Sequence, residues 1–253
     1  MSELLNRLRS LDLAGEIATA SDATSAACLA EWLDSGVGFV CADPAYERQY
    51  YRAVRELFTC VRPTADLGAI LQEGGVYFGC WLESTGTINA ELLSRFLPEV
   101  AQRTFEGFAR SQREDGLFPY KLTADGAVFN QIQLVTPLAR SVWNHYLLNG
   151  HDRVFLKTMY EAMKAYDGWI ARNRDTRGTG AVEAFCCYDT GHDLSARFWH
   201  VPDTPYRNEP AQCDPNNPLV PFIAPDLTAN IACQRSYLAR IADELDEDDT
   251  NWD

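Results

Sequence analysis

The sequence predicts an all-α fold of stacked helical hairpins, and two features carry that expectation. Apolar residues recur at helical intervals through much of the chain, most clearly in the stripe Phe155, Met159, Met163, Tyr166, Trp169 and Ile170. The order helix, charged glycine-containing loop, apolar lead-in and next helix also occurs twice, over 90–150 and again from 153 to about 200. Each such unit leaves an apolar face that a stacked neighbour must bury. A chain of 253 residues without an internal linker buries a substantial core as one domain or two small ones. The expected division is peripheral helices over 1–40, a helical-hairpin unit over 41–245 and an acidic tail over 246–253.

Taken in order, Leu5, Leu8 and Leu11 mark a first short helix, and a second is expected from about Thr24 to Leu33, closed by Gly36. Asp43-Pro44 starts the next, because Asp caps and Pro tolerates the first helical position. Its apolar face is expected to be Tyr46, Tyr50, Val54, Leu57, Phe58 and Val61, ending before Pro63. A glycine- and aromatic-rich segment follows at 74–85, suited to backbone passing close to a ligand. A long helix is expected from Ala90 to Gln112 on Leu92, Leu93, Phe96, Val100, Phe105 and Phe108, with Pro98 bending or interrupting it. Asn130 to Gln133 then lead into a helix through Leu134, Leu138, Val142, Trp143, Tyr146 and Leu147, stopped by Gly150. After the helix at 153–173, seven prolines between 202 and 225 specify an extended loop. Asp226 to Asn230 open a last helix, and seven acidic residues with no basic one in the final thirteen read as a solvated tail.

The formal net charge of −14, from 22 basic and 36 acidic residues, repels a phosphate backbone, so nucleic acid is not an expected partner. The charged N-terminal residues lack the apolar core of a signal peptide, and no uncharged span is long enough for a bilayer. A soluble, cytoplasmic protein is therefore expected. The eight cysteines form no CxxC pair or metal-ligand rhythm, which points to buried free thiols, with no metal and no cofactor; His192 and His200 near Cys186 and Cys187 lack metal-ligand spacing.

The chemistry is expected in the stretch Tyr188 to Trp199. Asp193 follows Gly191 in a turn-like segment, among Tyr188, Phe198 and Trp199, with Arg197 four positions on. Lost hydration raises the pKa of such a carboxyl and lets it serve as a general acid, while aromatic faces suit a sugar ring. The same residues also fit an ordinary capped loop in which Arg197 is the ion-pair partner of Asp193.

The run 189–198 resembles the Glu-Ser-Gly-Trp-Asp-Phe-Ser-Ser-Arg-Trp motif of the trehalases, shared more loosely by processing α-glucosidases and mannosylglycerate hydrolases. Gly191, Asp193, Ser195 and Arg197 match letter for letter; Asp189, Leu194 and Phe198 are conservative changes, and His192 stands in place of Trp. The resemblance implies a toroid of inner and outer helices, with Asp193 as general acid of an inverting hydrolysis of an α-glycosidic bond in a small sugar or oligosaccharide. Three further segments are similar. Trp81 and Glu83 fall where these families carry an aromatic motif ending in Trp-Asp-Ser, although Val76 replaces an Arg found in trehalases. Asn130 and Gln133 match an Asn-Arg-Ser-Gln segment, while Gln131 does not. Asn130 also reads as a helix cap. Residues 226–230 resemble the Val-Asp-Leu-Asn-Ala segment that opens the next inner helix. The implied sugar-binding set is Trp81, Glu83, Asn130, Gln133, Tyr188, Arg197 and Trp199.

An inverting enzyme needs a second carboxylate about 6.5–9.5 Å from the acid. In trehalase-like enzymes that Glu comes late, and no residue here matches it by motif. The expected fold is thus about two-thirds of a six-hairpin barrel, with a missing part or a partner chain completing it. The alternative is a non-catalytic helical-hairpin protein that binds carbohydrate or another chain. Asp246-Glu247-Asp248-Asp249 also fits the Asp-x-Asp-Asp pattern of some terpene cyclases, but its terminal position among other acids favours a tail.

Overall fold

Local signals set most helix boundaries. The computed structural model describes residues 2–17, 22–74, 77–193, 195–248 and 252, and in it α1 (Ser2–Arg9), α2 (Leu13–Glu16) and α3 (Ala23–Ser35) precede α4 (Pro44–Thr59). The Asp22 carboxylate accepts from Ser25 N to cap α3, and Gly36 at φ 64° closes it. Asp43 caps α4, with Pro44 at its first position. The buried stripe of α4 is Tyr51, Val54 and Phe58, while Tyr46 is exposed, which corrects the expected face. Tyr51 is tolerated inside because its hydroxyl donates to Phe39 O at 2.8 Å and accepts from Phe39 N at 2.9 Å. Although α3 belongs to the N-terminal segment, it sends Trp32 into the core, stacked on Phe96 at 4.7 Å.

The helix expected at 90–112 starts earlier and breaks in the middle. A turn of α5 (Leu82–Ser84) runs into a nine-residue π-helix, Thr85–Leu93, then α6 (Ser94–Phe96), a break at Leu97, and α7 (Pro98–Arg110). Proline pushes the residue before it out of the helical region, and Leu97 sits at φ −138°, ψ 62°. The wider π turn is tied to its surroundings: Ser94 N and Ser94 Oγ both donate to Asn89 O, and Asn89 Nδ2 donates to Ala101 O at 3.1 Å. Likewise, residues 129–137 are extended and α8 (Leu138–Leu148) begins only after them, so Asn130 lies too far upstream to cap it. α9 (Arg153–Asn173), capped by Asp152, and α10 (Pro225–Leu245) lie where the sequence places them.

α7, α8, α9 and α10 pack on one another around a core that includes Phe105, Phe108, Val142, Phe155, Met159, Met163, Trp169 and Leu238. The connections carry three small antiparallel sheets. β1 (Val61–Thr64) pairs with β2 (Gly68–Leu71); β3 (Cys80–Trp81), β4 (Lys121–Thr123) and β5 (Gly126–Val128) form a second; β6 (Glu183–Ala184) pairs with β7 (Phe222–Ile223). Of the cysteines, Cys28, Cys80, Cys186 and Cys187 are buried and the other four half-buried, all as free thiols. Asp246 pairs with Arg153 at 3.1 Å, Glu247 pairs with Lys157, and Trp252 donates to the Tyr160 hydroxyl at 3.3 Å. The rest of the expected tail, including Asp249, lies outside the described residues. Among the described residues no helix is long and apolar enough to cross a membrane.

His145 of α8 is buried against Phe105 and Phe155, with Nδ1 2.9 Å from Ser94 Oγ. Burial pulls its pKa down to about 4. The unfolded chain, with an ordinary histidine near 6.5, then binds the proton first, so stability is lost as pH falls from about 6.5 towards 4, by about 2–3 kcal/mol. Chemical denaturation at pH 7 and 4.5 is expected to show this loss, and His145→Phe is expected to flatten the difference by about that amount.

Candidate active site

Three connecting segments that the sequence marks separately meet at Gly191. The first is the strand-to-helix turn after β3. Trp81 lies directly opposite Lys121 in the sheet, whose ammonium sits 4.6 Å from the indole centroid, and Tyr77 meets the ring edge-on at 5.8 Å. Trp81 is also the residue before α5, so Glu83 falls in its first turn and its carboxylate reaches across to Gly191. Gly75 and Val76 lie outside the described residues.

The second segment is the extended run 129–137. Its backbone is tied on both sides of Gln133: Ile132 N donates to Asp189 Oδ1 at 3.0 Å, Ile132 O accepts from the Tyr166 hydroxyl at 2.9 Å, and Leu134 N donates to Asp189 O at 3.2 Å. Asn230 of α10 donates to both Leu134 O and Val135 O at 3.0 Å. Between these ties Gln133 is held at φ 43°, a conformation costing a non-glycine residue about 1–3 kcal/mol. Its side chain is buried, and Oε1 has no partner among the described residues. Asn130 lies half-buried at the start of this run.

The third segment is the motif itself. A 3₁₀ turn, Cys187–Thr190, ends in Gly191 at φ 68°, and a second, Ala196–Phe198, follows. Asp193 lies in the bend between them; Leu194 is outside the described residues. A β-carbon at position 191 would overlap Val135 and stand 3.2 Å from Glu83 Oε2, so only glycine lets the three segments close on one another.

Below this junction is a fully buried ion pair. Arg174, at the end of α9, donates from Nη1 to Asp189 Oδ2 at 2.5 Å and to Glu183 O at 3.2 Å, and from Nε to Pro210 O at 2.8 Å, with its plane 4.1 Å from the Phe185 ring centroid. Asp189 also accepts from Phe185 N and Cys186 N. One pair thus joins α9, the motif, the Gln133 segment and the proline-rich loop.

The electrostatics follow first from lost hydration and then from neighbouring carboxylates. The Asp193 carboxyl is held above the ordinary carboxylate range, first by lost hydration and then by the nearby Asp203, with His192 opposing. Glu83 is raised as well, by burial, then by Glu73 and Asp193. Tyr188 is raised by burial and by Asp203. The expected aromatic shelter is different in detail. Phe198 turns inward onto Phe222 at 5.3 Å, Trp199 is 74% exposed, and Asp193 is itself an exposed residue, so these rings do not enclose it. Arg197 pairs with Asp226 at 3.3 Å rather than with Asp193, so the capped-loop alternative does not hold in that form. A cavity of about 430 Å³ beside the motif is lined by Arg197, Phe198, His200, Leu219 and Phe222 but not by Asp193.

Trp81, Glu83, Gln133, Tyr188 and Asp193 are therefore carried by segments that converge, while Arg197 is taken up by Asp226 and Trp199 is exposed. Asp203 and Arg174 were not singled out from the sequence, and Asp226 was marked only as the start of the last helix and within the segment resembling Val-Asp-Leu-Asn-Ala. Asp226 and Asn230 had a signal in their four-residue spacing on one helix face, whereas Asp203 sits in a proline-rich loop with no pattern.

A family model for the mannosylglycerate hydrolase MGH1-like glycoside hydrolase domain matches residues 77–252, from the Trp81 turn to beyond α10. The chain belongs to this family. Its fold is that of the helical-hairpin toroid. An uncharacterized conserved protein from Thermus thermophilus superposes with a TM-score of 0.62 at 17% identity, over 79% of this chain and 58% of that one. The GH63 mannosylglycerate hydrolase of the same organism, in complex with Tris, gives 0.56 at 16% identity over 79% and 61%, and in complex with glucose 0.56 at 17% over 79% and 59%. The chain thus spans 58–61% of the length of these structures. No curated protein matches it.

Breaking the buried pair is expected to unfold the junction. Arg174→Ala or Asp189→Asn leaves a partnerless buried charge or donor set and is expected to cost about 3–5 kcal/mol in urea denaturation.

Proposed function

We propose that this chain carries the acid side of an inverting glycosidase that cleaves an α-glycosidic bond in a small sugar or oligosaccharide. The observation that supports it best is the meeting of three separately marked segments at Gly191, two residues from a carboxyl whose surroundings favour its protonated form. Asp193 protonates the departing glycosidic oxygen. Trp81, with Lys121 on one face, offers its ring to the sugar, and Glu83, Gln133, Asn130 and Tyr188 supply hydroxyl-binding groups. Arg197 holds the acid loop, and Trp199 is assigned to the rim. No motif position of this sequence carries over the base, so water activation is assigned to a carboxylate supplied by a further segment or partner chain. The hairpin unit over 41–245 is the catalytic domain in this scheme, a soluble cytoplasmic one acting in carbohydrate metabolism. Mannosylglycerate, named for the Thermus thermophilus neighbour, is the first compound to test.

Assayed on mannosylglycerate and a panel of neutral α-glycosides, Asp193→Ala is expected to lower kcat by about 10²–10⁴-fold while calorimetric sugar binding persists. Unchanged turnover would remove the assignment. The anomer first released, read by proton NMR, is expected to be inverted.

Because a general acid works only when protonated, kcat/KM is expected to fall as pH rises through the elevated Asp193 pKa. Asp203→Asn removes the like charge that helps raise it, so the alkaline limb is expected to move to lower pH.

A further inference from the structure

Asp226 occupies the first turn of α10, yet no side chain caps that helix start. Its carboxylate instead turns outward to the acid loop. Oδ2 accepts from Arg197 Nη2 at 3.3 Å and lies 3.2 Å from His192 Nε2, an ion-pair contact when that ring is protonated, so one oxygen meets groups on either side of Asp193. The Arg197 guanidinium is further fixed over the Phe198 ring at 4.6 Å. One turn on along α10, Asn230 holds the carbonyls of Leu134 and Val135. The first two turns of a 21-residue helix therefore grip both the acid-bearing bend and the connecting segment that carries Gln133. Asp226 Oδ1 is buried with no partner among the described residues, a cost that placement for the helix alone does not explain.

We propose that Asp226 is the positioning residue of the acid: by accepting from Arg197 and standing against His192 as its ion-pair partner it clamps both ends of the 192–197 bend and sets where the Asp193 carboxyl stands relative to the leaving oxygen. This deepens the glycosidase assignment above and rests on it. A bend clamped at one end only lets the carboxyl wander, and misplacement by about 1 Å costs about 10²-fold in a step that depends on proton delivery.

The test uses leaving groups of different need. An alkyl α-glycoside requires protonation as it departs, whereas a 4-nitrophenyl α-glycoside departs with little help from an acid. In Asp226→Ala, hydrolysis of the alkyl glycoside is expected to fall about 10²-fold and that of the nitrophenyl glycoside less than about 3-fold, with little change in Tm. Amide exchange over 192–197 is expected to quicken about 10-fold while the core of α9 is unaffected. Asp226→Asn, which keeps one acceptor oxygen, is expected to recover part of the loss. Equal losses on both substrates would make Asp226 merely structural and overturn the proposal, as would an unaffected Asp226→Ala enzyme in which Asp193→Ala is inactive. A wild-type chain that hydrolyses neither substrate and binds no sugar by calorimetry overturns the glycosidase assignment instead. The clamp is then judged by exchange alone, and unaltered exchange in Asp226→Ala overturns it.

Discussion

The Arg174–Asp189 pair is the constraint on which the rest of the site depends. Two opposite charges with no exposed surface lose hydration worth several kcal/mol each, and the fold keeps them only by filling their hydrogen-bonding capacity. The backbone supplies that filling. Arg174 takes the carbonyls of Glu183 and Pro210, and Asp189 takes the amides of Ile132, Phe185 and Cys186. The end of α9 and three connecting stretches of chain are thus held at one point.

Above that point the segments meet at short range because the residues in between permit it. Gly191 has no side chain to separate Glu83 from Val135, and Gly86 lets the π-helix close on Thr136 in the same way. Gln133, the residue with a spare buried acceptor, holds a positive φ between its flanking ties. Rigid ties on both flanks and an unsatisfied group in the middle are a common arrangement for a binding position. Crowding of Glu73, Glu83, Asp193 and Asp203 in one region of a strongly acidic chain then makes the protonated form of a carboxyl easier to keep.

Elements whose signals are local were legible from residue order. α4, α9 and α10 each begin with Asp or Pro next to a helical stripe, and capping depends on neighbours within a turn. The short strands could not be read in this way, since two to four residues are too few to show alternation and each exists only because a distant partner lies alongside. The run 129–137 imitates a helix start for the same reason. Its apolar residues fit a helical stripe, but its amides are taken by Asp189, more than fifty positions later. Pro98 did announce the break at Leu97, but the π turn before it answers to Asn89 and Gly86 contacts that residue order does not display.

By itself the sequence determined the helical class, the places of the principal helices and the stretch around Asp193, because stripes, caps and a short motif are properties of adjacent residues. It also marked Trp81, Glu83 and Gln133 as candidates, each within its own segment. Tertiary structure alone decided that these segments converge on Gly191, that Arg197 answers to Asp226 and not to Asp193, and that Asp203 stands near the acid. Those outcomes depend on hydrogen bonds and charges between residues tens of positions apart, and nothing in the local order of a chain encodes which distant groups will share one buried space.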